Sequence, residues 1–188
     1  MDYSIFAMQV TRRMQSPRDP LHERLHRLIS GEPERVTAGQ RYRFYRKLST
    51  ELLPAVGEFE KGVWDYWDVP SRAPGDFQDW VDGLQGREAR SSPAPDDGEP
   101  RYMVFTMSLL LQHGSTSDVR MTSHCNIPEL QLWRWSTFEH LLKGITLLNF
   151  LNVQSDVVYL LPGDDAGYGL TAENLGSQDY HYLRNLHR

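Results

Sequence analysis

Cysteine is nearly missing from this chain: Cys125 is the only one in 188 residues. A single thiol excludes an internal disulfide and fits a reducing compartment. Long apolar runs are missing as well. No stretch approaches the roughly 20 residues that span a bilayer, and residues 1–15 carry charges where an export signal has its apolar core. The expectation is a cytoplasmic protein without a membrane span. The glycine-rich phosphate loop, the dinucleotide fingerprint and the G-x-S-x-G elbow are absent too, so nucleotide binding and serine-hydrolase chemistry have no support. There is no internal repeat.

What is present is an ordinary globular balance, 39% hydrophobic and 24% charged residues, at a length that favours one domain over residues 1–188. The net charge of −5 conceals a polarity along the chain: residues 1–47 carry a local +5, residues 48–100 carry −8 and residues 101–188 carry −2. Such asymmetry marks either a surface for nucleic acid or an acidic partner, or two segments that pack against each other. The second reading is the simpler one.

Residues 3–10, with Ile5, Phe6, Met8 and Val10 and no breaker, predict a first strand. Asp19 as N-cap and Pro20 at the first helical position open a helix that buries Leu21, Leu25, Leu28 and Ile29 and stops at Gly31. Thr37 opens a second helix to about Leu53, with Phe44, Tyr45, Leu48 and Leu52 inward and Arg43, Arg46 and Lys47 outward. Pro54 restarts a third helical stretch striped by Val56, Phe59, Val63 and Trp67, and residues 76–84 predict a short amphipathic turn or helix. Residues 85–100 collapse into Gly, Ser, Pro and charge, the composition of a mobile loop.

The second half begins with the apolar run 101–113, read as a central strand closed by Gly114. Residues 119–125 and 129–135 are further candidate strands, Ser136 or Thr137 caps a helix with Leu141, Leu142, Ile145 and Leu148, and residues 156–161 form a short buried strand. After the turn Pro162-Gly163, with Asp164 and Asp165 read as solvated, Thr171 starts a short helix and residues 179–186 close the chain with a helical turn or two. The order indicates an α+β fold: a small mixed or antiparallel sheet with helices covering one face, and a long loop insertion near 85–100. It divides into a strand-plus-helical part (1–84), the loop, and a sheet-rich part (101–188).

One motif spells out a chemistry. His22, Glu23 and His26 form H-E-x-x-H, in which two histidines one helical turn apart ligate zinc and the glutamate acts as general base. A third ligand is required, and Glu51 on the next helix is the candidate. Arg24 inside the motif places a cation beside the metal, and a surface helix whose histidines border the core accounts for the same residues. His124 and Cys125, if on a strand, point to opposite faces and cannot work as base and nucleophile, which leaves a buried inert thiol. Arg43, Arg46 and Lys47 form a basic stripe for RNA or DNA, yet their helix sends its aromatic rings inward. Trp64, Trp67 and Trp80 stand among acidic residues, a segment that either covers its own core or docks a basic partner.

The second half also resembles a known family. Tyr102, Met103, Val104, Phe105 and Thr106 resemble the tyrosine–hydrophobic–valine–valine–threonine strand of the uncharacterised domain of unknown function 1517 family. A helix with Leu141 and Leu142, the strand Val157 to Leu161 before Pro162, the run Leu170 to Leu175 and the stretch Tyr180 to Leu183 follow in the family's order. Leu160 stands where the family has tryptophan and His181 where it has proline. The resemblance covers residues 101–186 and implies an α+β domain with no assigned activity or cofactor. The first functional reading is therefore a non-enzymatic interaction domain, a subunit or adaptor in an assembly, with no cofactor. The first alternative is a small zinc metallopeptidase, and the second a nucleic-acid-binding accessory protein.

Overall fold

The computed structural model describes residues 2–16, 18–31, 37–88 (83–88 by backbone alone), 99–163 and 169–188. Its strands are β1 (Tyr3–Arg13), β2 (Phe59–Trp67), β3 (Tyr102–Gln112), β4 (Val153–Leu161) and β5 (Arg184–Asn185). They form one antiparallel sheet in the order β4-β3-β1-β2-β5. The helices are α1 (Pro20–Gly31), α2 (Ala38–Leu52), α3 (Ala73–Glu88), α4 (Thr116–Cys125), α5 (Trp135–Ile145) and α6 (Ala172–Gly176). The α+β class expected from the sequence is the class observed. Among the described residues no helix is long and apolar enough to cross a membrane.

β1 and β3 are buried nearly end to end, as central strands with both faces covered must be. Register sorts their residues by face. Phe6, Met8 and Val10 pair with Leu109, Met107 and Phe105, and all six join the main core beneath α1, α2, α4 and α5. Ile5 and Leu110 point the other way, onto Ala73, Phe77 and Trp80 of α3. Val104 and Leu161 on that second face pack under Leu175, Tyr180 and Leu183. Helices thus cover the main face, and α3 with the C-terminal segment covers part of the second.

The caps read in the sequence form. Asp19 accepts from the backbone N–H groups of Leu21 and His22 at 3.0 and 3.1 Å, and Thr37 and Gln40 make a reciprocal capping box on α2. Gly114 has φ of 72°, the left-handed geometry that glycine adopts freely, at the turn out of β3.

Other expectations are corrected. The third helix is instead a 3-10 turn, Leu53–Glu58, running into β2. The stripe of Val56, Phe59, Val63 and Trp67 imitates a helix. However, Val63, Trp64, Tyr66 and Trp67 suit a pleated surface, and Gly62 weakens a helix. Long-range pairing decides it, with Val10 opposite Gly62, Met8 opposite Trp64 and Phe6 opposite Tyr66. Gly62 also makes room for α5, since a Cβ there would sit 2.9 Å from the Phe138 ring.

Residues 119–125 form helix α4, not a strand, because Ser115 caps it on the Asp118 N–H and Met121 fills the core from it. Residues 129–135, also expected as a strand, hold a 3-10 turn, Glu129–Gln131, and the start of α5, whose N-cap is Arg134 instead of Ser136 or Thr137. The C-terminal helical stretch reduces to a 3-10 turn, Gln178–Tyr180, before β5 pairs with Lys61 and Gly62. α3 reaches Glu88, past the expected start of the long loop. Residues 89–98 of the expected loop, and Asp164 and Asp165, expected as a solvated turn, lie outside the described residues.

Candidate functional site

Alternation along β2 sends Trp64 and Tyr66 to the main face and Asp65 and Trp67 to the second, opposite Ala7 and Ile5 of β1. α3 crosses that second face and leaves a cleft of about 360 Å³ lined by Ile5, Ala7, Asp65, Trp67, Arg72, Asp76, Asp79, Trp80 and Tyr182. Two indoles and three carboxylates share one small space. Tyr182 is held there by donating its hydroxyl to Gln9 at 2.8 Å, and Gln9 in turn donates to Thr106 at 2.7 Å. Arg72, at the entry to α3, lies 5.1 Å from the centroid of the Trp67 ring and 3.6 Å from the Asp76 carboxylate. A guanidinium stacked on an indole and facing a carboxylate is the arrangement that favours cations over neutral groups.

The electrostatics agree. Although Asp65 is exposed as a residue, partial desolvation raises its carboxyl above the usual carboxylate range; a backbone hydrogen bond from Tyr66 opposes this and the charge of Asp76 adds to it. Asp65, Asp76 and Asp79 against the Arg72 guanidinium leave the cleft lining with more carboxylates than cations, which an incoming cation balances.

α4 forms the wall of a neighbouring groove of about 670 Å³ on the main face, along β2. Its position is set by Tyr66, whose hydroxyl donates to Asp118 at 2.5 Å while Asp118 accepts the Gly114 N–H at 2.7 Å. Burial first, and Asp118 second, push the Tyr66 phenol well up, so it stays a donor. Trp64 donates its indole N–H to Leu132 at 3.1 Å. Cys125 also lines this groove, and burial with help from Asp65 pushes its thiol up to about 12. That thiol stays protonated at neutral pH and is a poor nucleophile.

The histidine motif sits on α1, where His22, Glu23 and His26 line a cleft of about 570 Å³ with Arg27, Ser30 and Gly163. The rings of His22 and His26 stack at 6.0 Å. His22 is buried and its Nε2–H donates to the Pro162 carbonyl at 2.7 Å, while Nδ1 has no hydrogen-bond partner among the described residues. Glu51 is not turned to this cleft's service: it takes the Arg24 guanidinium at 2.6 Å. Among the described residues no group of three or more His, Cys, Asp or Glu side chains is placed to hold a metal ion, so the three-ligand set that zinc chemistry needs is not assembled by them.

Arg43, Arg46 and Lys47 are exposed on α2, on the main-face side, and do not line the cleft that holds Trp67 and Trp80. Of the three tryptophans singled out in the sequence, Trp67 and Trp80 meet in the acidic cleft and Trp64 lies across the sheet from them. Sequence reading missed Asp65, Arg72, Asp76, Asp79 and Tyr182 as members of the same site. A period-two reading of residues 59–67 would have put Asp65 beside Trp67. Tyr182 left no such signal, because only the fold brings it there. No family model, curated protein or solved structure matches the chain.

Proposed function

We propose that this chain is a non-enzymatic interaction domain, a subunit or adaptor, whose acidic and aromatic cleft receives a lysine or arginine side chain of a protein partner. The observation that carries this reading is Arg72: the chain's own guanidinium already rests on Trp67 beside Asp76. It marks the chemistry the cleft accepts. A partner's cation competes with it and gains Asp65 and Asp79 as further neighbours.

Magnitudes limit what one side chain achieves. A cation–π contact contributes about 0.5–2 kcal/mol and each exposed ion pair about 0.2–1 kcal/mol. A lone arginine therefore binds no better than about millimolar, and a useful partner must add contacts beyond the cleft.

Tryptophan fluorescence tests the reading. Titration with an arginine-bearing peptide is expected to shift the emission of wild type, and Trp80→Ala or Asp76→Asn is expected to weaken the response several-fold. Equal responses to arginine and glutamate peptides would refute it.

A further inference from the structure

β2 is paired along its whole length with β1, but β5 covers only Lys61 and Gly62 of its other side. Among the described residues no strand pairs with the outer edge of 63–67. Asp65, Trp67 and Asp68 at that edge are exposed. A free edge of this kind presents backbone donors and acceptors to an incoming strand.

The two hollows described above lie on either side of this same edge. The acidic cleft opens on the face of Asp65 and Trp67 and the α4 groove on the face of Trp64 and Tyr66, with Asp65 at the edge lining both. An added strand has the same two-residue alternation as β2. Its successive side chains would therefore enter the acidic cleft and the groove by turns. The groove is lined by Val119, 61% exposed, Leu132 and Trp133 together with the polar Asp65, Asp68, Thr122, Ser123 and Asn126; its Val119–Leu132–Trp133 part suits an apolar side chain.

We infer that a partner binds by adding an extended segment to the outer edge of residues 63–67, with basic side chains in the acidic cleft alternating with apolar side chains in the α4 groove. The inference rests on the proposed cation-binding role of the cleft and specifies how the partner is held. Charge selects the occupant. Asp65, Asp68, Asp76 and Asp79 attract a cationic segment, whereas a second copy of this chain pairing through the same edge would bring Asp65 and Asp68 against their own like charges. Arg72 then acts as a placeholder, leaving Trp67 when the partner's cation arrives.

The probe is a pentapeptide labelled at its N-terminus, fluoresceinyl-Val-Arg-Val-Arg-Val-amide, followed by anisotropy against the full chain, together with two analogues whose backbone amides are N-methylated at odd or at even positions. Only one set of amides faces β2 in an added strand. The expected result is at least a tenfold loss of affinity with one analogue, little change with the other, and slowed amide exchange at residues 63–67 on binding the parent peptide. If both analogues bind like the parent and Trp80→Ala still weakens them, side-chain capture stands and strand addition is overturned. If both analogues lose affinity without slowed exchange at 63–67, strand addition is likewise overturned. If the parent peptide does not bind, both readings fall. A concentration-dependent dimer with exchange slowed at 63–67 before any peptide is added would assign the edge to a second copy and overturn the inference.

Discussion

Asp19 shows how one side chain serves several demands at once. It has no accessible surface, caps α1, and meets Arg12 at 2.8 Å, while Arg12 also reaches Glu58 at 2.6 Å. Burial pushes its carboxyl up, but the backbone N–H of Gln15, then Arg12 and the N–H of His22, outweigh burial and hold it below the usual range. Its contribution is therefore complete above the unfolded carboxylate pKa of about 3.9 and is lost as pH falls through the depressed folded value. Asp19→Asn keeps the cap and removes the charge. Chemical denaturation at neutral pH is expected to show a cost of about 3 kcal/mol, the low end for a broken buried pair because Glu58 remains, and a smaller acid dependence than wild type.

Asp65 is shifted the other way, with Asp76, Asp79 and Arg72 facing it from α3 and the turn before it, Tyr182 from the C-terminal segment and Cys125 from α4. Cation binding is expected to weaken as pH falls through its raised value, above the range in which ordinary carboxylates protonate. Asp65→Asn is expected to flatten that part of the profile. An unchanged profile in the variant would separate Asp65 from binding. At the histidine motif, Nε2 of His22 is committed to Pro162 and Glu51 to Arg24. Zinc after dialysis is expected to be substoichiometric by mass spectrometry; a full equivalent that disappears in His22→Ala would reinstate the metal.

Elements whose signals are local were legible in the sequence. Asp19 and Pro20, Thr37, and Thr171 announced three helices, because a cap is written in the residues that make it. β1, β3 and β4 were legible as runs of buried residues. β2 was not, since its pattern fits two periods and only pairing with β1 chooses between them. α4 was misread for the converse reason: Val119 and Thr122 favour a strand locally, while the Ser115 cap and the packing of Met121 favour a helix. The candidate site followed the same division. Trp67 and Trp80 were visible as aromatics in an acidic segment, but their meeting, and Trp64's exclusion from it, depend on β2 being a strand. Gly62→Ala tests this register, because the new methyl would press on Phe138 and on the Gln9 carbonyl at 3.2 Å. The expected cost is about 1–3 kcal/mol by urea denaturation, against a few tenths at Gly57, where nothing lies within 4 Å.

At the scale of the whole molecule, charge asymmetry along the chain becomes asymmetry in space. The basic residues Arg43 and Arg46 sit on α2, on the main face, while the acidic segment borders the free edge of β2 and the second face. On the proposed reading a basic partner would approach from that side, and its association is expected to slow with added salt as the screening length shortens. The central claim is that the cleft takes a cation because of its charge and not its bulk. The most direct measurement is a nuclear magnetic resonance titration of the indole N–H signals with acetyl-arginine-amide and with its neutral near-isostere acetyl-citrulline-amide. Arginine is expected to move the Trp67 and Trp80 signals while leaving Trp64 nearly still, and citrulline to move none of them. Equal shifts with both ligands, or shifts spread over all the tryptophans, would contradict a cation site.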